Sequence, residues 1–156
     1  MPRQKGFSLI ELLVVMVIIL VIATIAISSM LHARMTANEA SAVHSLRSLN
    51  TACATYASTY GIGYPASLAD LGPAPSPTSK AAALIDPVLA AGTKSGYIFT
   101  YTAGSPDASG VIHSYKIVSD TVNRGVTGQR GFFTDNSFVV RFNLSKAGSV
   151  SDPPIN

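Results

Sequence analysis

Residues 7–27 read FSLIELLVVMVIILVIATIAI, 21 positions with one charge, Glu11, and two hydroxyls, Ser8 and Thr24. As a helix at 1.5 Å per residue the run reaches ~30 Å, the thickness of a bilayer's hydrocarbon core. No soluble domain exposes such a run, so it must be covered by lipid or by other helices. In front of it stand Arg3 and Lys5 with no acid; behind it the nearest charges are Arg34, Glu39 and Arg47. This asymmetry puts the N-terminus in the cytoplasm and the rest of the chain across the membrane. A cleaved secretory signal fits less well, because its apolar region usually spans ~7–15 residues. The nearest small-x-small site, Ala26-Ile27-Ser28, is also followed by sequence that still reads as helix.

Nothing interrupts that helix before Gly61, since residues 28–60 contain neither glycine nor proline. At 100° per residue, Leu31, Met35, Ala42, Val43, Leu46, Leu49, Cys53, Tyr56, Ala57 and Tyr60 share one arc. Arg34, Ser41, His44, Ser45, Arg47, Ser48 and Thr55 lie outside it. One helix from Ser8 to Tyr60 would be ~80 Å long, apolar all round in its first half and amphipathic in its second.

The rest of the chain changes character. Residues 61–80 hold four of the nine prolines and read as an irregular connector with one helical turn at 67–71. Asp86-Pro87 reads as an N-cap followed by proline at the first helical position, with Gly92 closing a short helix. Segments 97–102, 115–118, 131–134 and 138–142 are rich in β-branched and aromatic residues and are separated by turn formers. Three or four antiparallel strands on the helix's apolar arc give an α+β fold. The tail SDPPIN reads as loose. The implied organisation is residues 1–6, 7–27, 28–60 and a head over 61–156.

Lys5-Gly6-Phe7-Ser8-Leu9-Ile10-Glu11, followed by LLVVMVIILVIA, resembles the class III signal of prepilins, the precursors of type IV pilins and of type II secretion pseudopilins. The resemblance covers residues 3–30; beyond that it is one of architecture. It implies that a membrane-embedded prepilin peptidase cuts between Gly6 and Phe7 and methylates the new Phe7 amine. The subunit then waits in the inner membrane and passes through an inner-membrane assembly platform. It ends as a homo-oligomeric helical filament in the periplasm or at the cell surface. Such a subunit is no enzyme and needs no cofactor.

Physical chemistry supplies reasons for the motif. Gly6 has no Cβ and leaves room for a peptidase at the backbone. Cutting there removes Arg3 and Lys5, two of the three net positive charges in a chain of eleven basic and eight acidic residues. The excess is a topology signal, and it is too small and scattered to point to nucleic acid. A carboxylate in hydrocarbon costs about 2.5–3.5 kcal/mol on insertion scales, so Glu11 wants a partner. The Phe7 amine, of its own chain or a neighbour's, is the nearest cation, and pairing to a neighbour would set the register of assembly. A milder reading has Glu11 reaching the headgroups and favouring its own helix N-terminus. Ala23, Ala26, Ser28, Ser29, Ala33, Ala37 and Ala40 would let helices approach closely.

Other features carry less. The single cysteine, Cys53, sits mid-arc as a small hydrophobe and excludes the two-cysteine loop of many type IV pilins, which tilts the reading towards a pseudopilin or an atypical pilin. Asp107, Asp120 and Asp135 lie in or beside loops where pseudopilins can hold calcium. They lack the spacing of a calcium loop and read as turn formers, so no metal residue is assigned. Gly125, Gly128 and Gly131 in RGVTGQRG lack the lysine of a phosphate loop and read as a turn between strands. His32, His44 and His113 are isolated in sequence. An alternative of another class is a membrane-anchored or secreted binding domain with a conventional signal or anchor helix.

Overall fold

A computed structural model of the chain describes residues 6–155. Residues 1–5, with Arg3 and Lys5 of the expected leader, lie outside the described residues, as does residue 156. The fold is α+β, and the chain divides into two units, Met1–Arg34 and Met35–Asn156. Helix α1, Leu9–Tyr60, runs for 52 residues. It stops where the composition says it should. Gly61 takes the left-handed conformation (φ 66°), and its N–H bonds the Ala57 carbonyl at 3.0 Å.

In the first unit the described side chains are exposed, apart from half-buried Ala23. Leu31, on the expected arc, is among them at 41% exposure. Thr24 Oγ1 donates to the Val21 carbonyl at 2.7 Å and Ser28 Oγ to the Ile25 carbonyl at 3.0 Å. These two hydroxyls are satisfied within the helix itself, as an apolar environment would require.

In the second unit α1 buries one stripe: Glu39, Ala42, Ser45, Leu46, Leu49, Asn50, Ala52, Cys53 and Tyr56. The steps of three and four residues are those of one helix face. Against it packs a five-stranded antiparallel meander in the order β1-β2-β3-β4-β5. The strands are β1 (Thr93–Lys94), β2 (Tyr97–Ala103), β3 (Tyr115–Thr121), β4 (Gly131–Asp135) and β5 (Arg141–Asn143). Alternation along β2 and β3 turns Tyr97, Phe99, Tyr115, Ile117 and Ser119 inwards, and the register Phe99↔Ser119↔Phe132 aligns them across the sheet. Leu46, Leu49, Cys53, Ile117 and Phe132 are fully buried at the centre. Burying each of the larger apolar groups contributes about 1.5–3 kcal/mol.

One buried polar cluster threads this core. Asn50 Nδ2 donates to Thr134 Oγ1 at 2.8 Å, and the Tyr115 hydroxyl donates to Asn50 Oδ1 at 2.9 Å. Nearby, buried Ser119 Oγ has no hydrogen-bond partner among the described residues.

The connector is more ordered than its prolines suggest. Leu68–Leu71 form a 3-10 turn, with the Ser67 N–H donating to Asp70 Oδ2 at 3.0 Å. Residues 82–85 return to it through Ala82 N–H to Asp70 O and Leu84 N–H to Leu71 O, at 2.8 and 2.9 Å. Helix α2, Pro87–Ala90, starts as expected: Asp86 caps the Leu89 N–H at 2.9 Å and Pro87 follows.

Five strands form where three or four are expected, because Thr93–Lys94 pairs with β2 as an added edge. The last strand starts at Arg141 rather than 138, because Phe138 occupies the left-handed region (φ 64°) inside a turn closed by its N–H to Asp135 O. β4 is buried on both faces, because residues 146–148 lie against it. A Cβ on Gly131 would meet Lys146 O at 2.3 Å, and one on Gly148 would meet the Phe132 carbonyl carbon at 2.4 Å. Residues 152–155 of the tail are not loose. They strap β5 through Phe142 N–H to Pro153 O (3.1 Å) and Ile155 N–H to Val140 O (2.8 Å), and Ile155 packs on the core.

Candidate functional site

The expected processing and assembly residues sit together at the start of α1. Gly6, Phe7 and Ser8 are exposed and non-helical, and Phe7 is 85% exposed. A Cβ on Gly6 would meet no heavy atom of the described residues within 4 Å, so packing among them does not demand glycine there. The helix frame is fixed immediately afterwards. The Glu11 and Leu12 N–H groups donate to the Ser8 carbonyl at 3.1 and 3.3 Å, and the Ser8 N–H donates back to Glu11 Oε2 at 2.8 Å. Ser8 is therefore the N-cap, and Glu11 is the acid three residues on that satisfies the cap's own N–H.

This arrangement gives the Glu11 carboxylate a partner inside its own chain, at the residue adjoining Phe7. The sequence reading had the acid near the helix N-terminus but missed the bond to Ser8. Ser8-x-x-Glu11 before an apolar run is the spacing that would have revealed it. Beyond Glu11, Leu12, Val15, Ile19, Ile22 and Ile25 remain 48–66% exposed. Among the described residues α1 is the one helix long and apolar enough to cross a membrane.

Residues 1–27 match the family described as the prokaryotic N-terminal methylation motif. The chain carries the signature of type IV pilins and pseudopilins. That signature covers the leader, the Gly6–Phe7 junction, Glu11 and the apolar run, and with the exposed apolar helix it is consistent with membrane anchoring. It leaves the head unmatched. No curated protein and no solved structure matches the chain.

The remaining candidates are dispersed. Asp107 accepts from the Ser109 and Val111 N–H groups and pairs with His113 Nε2 at 2.8 Å. Asp120 pairs with Arg124, and Asp135 caps the Ser137 N–H at 2.9 Å. Among the described residues no three His, Cys, Asp or Glu side chains are placed to hold a metal ion. Burial pushes the Cys53 thiol up to about 12, which leaves it protonated and inert at neutral pH. His44 lies on the exposed side of α1.

Glu39 belongs to no motif, and the sequence offers it only as a charge behind the apolar run. It is 7% exposed. Its Oε1 accepts from the Gln129 and Arg130 N–H groups at 2.8 and 3.1 Å, and its Oε2 from Arg130 Nε at 2.7 Å. Burial alone would raise its pKa, but the two backbone donors and the guanidinium outweigh that and hold it below the ordinary carboxylate value. The guanidinium lies over the Phe132 and Phe142 rings, 5.7 and 5.8 Å from their centroids.

Proposed function

We propose that the chain is a structural subunit of a type IV pilus-like filament, serving type II secretion or a pilus. Prepilin peptidase cuts between Gly6 and Phe7 and methylates Phe7. The mature subunit is held in the inner membrane with its head outside the cytoplasm, and it polymerises through α1. The single observation that carries the reading is the methylation motif over residues 1–27, placed on a helix whose apolar side chains the chain leaves uncovered. Bundling copies of this helix would bury that surface, which a subunit alone can give only to lipid.

Glu11 has a defined part in this reading. In the isolated subunit its carboxylate is held by the Ser8 N–H. In a bundle, a neighbour's Phe7 ammonium is a stronger partner, because its full positive charge adds a Coulombic attraction that the neutral Ser8 N–H lacks and that an apolar interior screens little. A subunit out of register would leave an ammonium without its carboxylate, so only one axial placement is favoured. Producing the chain in a host with a prepilin peptidase and an assembly platform tests this. Thin filaments containing the chain are expected by electron microscopy. A chain that is processed normally but never leaves the membrane fraction contradicts the assembly role.

A further inference from the structure

The glycine-rich segment RGVTGQRG, between β3 and β4, plays no part in the proposed assembly. It nevertheless holds the Gln129 and Arg130 N–H groups that receive Glu39. We propose that Glu39 is a proton-operated latch: ionised, it clamps residues 122–130 onto α1, and protonated, it releases that segment while the rest of the head stays folded.

Three observations support local rather than global release. The first is the pattern of contacts. The segment is held to the remainder by polar groups: to α1 by Glu39 and by Asn38 Nδ2 to Thr127 O at 2.8 Å, and to the sheet side by Val122 N–H to Gly96 O at 2.9 Å, the Tyr97 hydroxyl to Arg130 O at 2.8 Å, the Thr121 and Thr127 hydroxyls at 2.6 Å and Arg124 to Asp120. Its larger apolar side chains, Val122 and Val126, are 58% and 49% exposed, so no buried apolar anchor opposes its departure. The second is Glu39's geometry. Its two oxygens accept three donors; a protonated carboxyl must turn one oxygen into a donor and faces an N–H or a guanidinium that cannot accept.

The third is the chemistry of the other fastenings. The Asn50–Thr134–Tyr115 cluster and the core around Leu46, Leu49, Ile117 and Phe132 contain no group that titrates in acid. The charged and titratable groups around the latch are Arg130, Arg124 with its partner Asp120, and the Tyr97 hydroxyl from β2. Arg124 and Asp120 join the segment to β3 and do not bridge to α1. The direction follows from linkage. Glu39's pKa is depressed while the latch is closed, so closure is fully supported above the ordinary value of 4.5 and weakens as pH falls through the folded value.

Amide hydrogen exchange of the full chain in detergent micelles, at pH 7 and pH 3.5 and corrected for intrinsic rates on an unfolded peptide, tests the latch. Protection across residues 122–130 should fall at pH 3.5, by at most about tenfold, the limit that linkage sets one unit below the ordinary carboxylate value. Protection across 115–119 and 46–56 should hold. Glu39→Gln should show the released segment already at pH 7, with little further change in acid. Loss of protection in segment and core together, an unchanged segment at pH 3.5, or a Glu39→Gln chain with the full wild-type pH dependence would each overturn it. If Glu39→Gln does not fold, the wild-type pair of measurements decides alone.

Discussion

The Ser8 N–H lies 2.8 Å from Glu11 Oε2, which ties the charge inside the apolar run to the residue beside the expected cleavage point. Glu11→Gln keeps an acceptor for that N–H but cannot form an ion pair, whereas Glu11→Leu removes both. We expect both variants to be cut after Gly6 and both to fail to form ordered filaments. Processing is read by gel shift and assembly by shearing and microscopy. Normal filaments from Glu11→Gln would show that capping, rather than charge pairing, is what the position supplies.

Two buried polar groups in the head should answer to mutation with opposite sign. Asn50→Ala strands Thr134 Oγ1 and the Tyr115 hydroxyl, both bonded to it. The cost should be on the order of 3 kcal/mol, since each stranded group forfeits about 1–3. Ser119→Ala removes a buried hydroxyl that has no partner, so it should be neutral or slightly stabilising. Denaturant titration of the full chain in micelles compares them.

Phe138 combines a left-handed backbone (φ 64°) with a side chain 46% exposed. Phe138→Gly should raise stability by ~1 kcal/mol through relief of strain, and Phe138→Val should lower it, because a branched Cβ tolerates that conformation least. Thermal unfolding gives both signs.

Cys53 is fully buried and its thiol is pushed up to about 12. Iodoacetamide at pH 8 should label it only as the head unfolds, so labelling rate should track denaturant. Rapid labelling of the native chain would place the thiol at the surface.

Much of the architecture was legible in the sequence, because a long stretch without glycine or proline and a three-to-four periodicity need no tertiary information. Ala42, Leu46, Leu49, Cys53 and Tyr56 were placed on the buried face by spacing alone, and they are buried. Glu39 and Asn50 share that face but their polarity hides them, and Ser45, expected outside the arc, is buried beside Leu46 as well. Glu39 and Asn50 are buried because donors and acceptors some 65–91 residues away satisfy them, a pairing that local pattern cannot register. The fifth strand was drawn too early because Phe-Val-Val looks like β-structure, while the turn that Asp135 closes forces Phe138 out of it. The tail was read as loose because its prolines cannot donate. They can accept, and Pro153 does so from Phe142. The methylation motif over residues 1–27 is legible in the sequence, and so is the Ser8-x-x-Glu11 spacing behind the hydrogen bond at the start of α1.

The measurement that bears most directly on the central claim is the mass of the mature N-terminus, taken from membranes or filaments of cells that make the full chain. The account predicts a chain that begins at Phe7 and is heavier by one methyl group on its amine. A start near Ser28 would mean secretion after ordinary signal cleavage, an intact Met1 would mean a simple anchor, and either would contradict it.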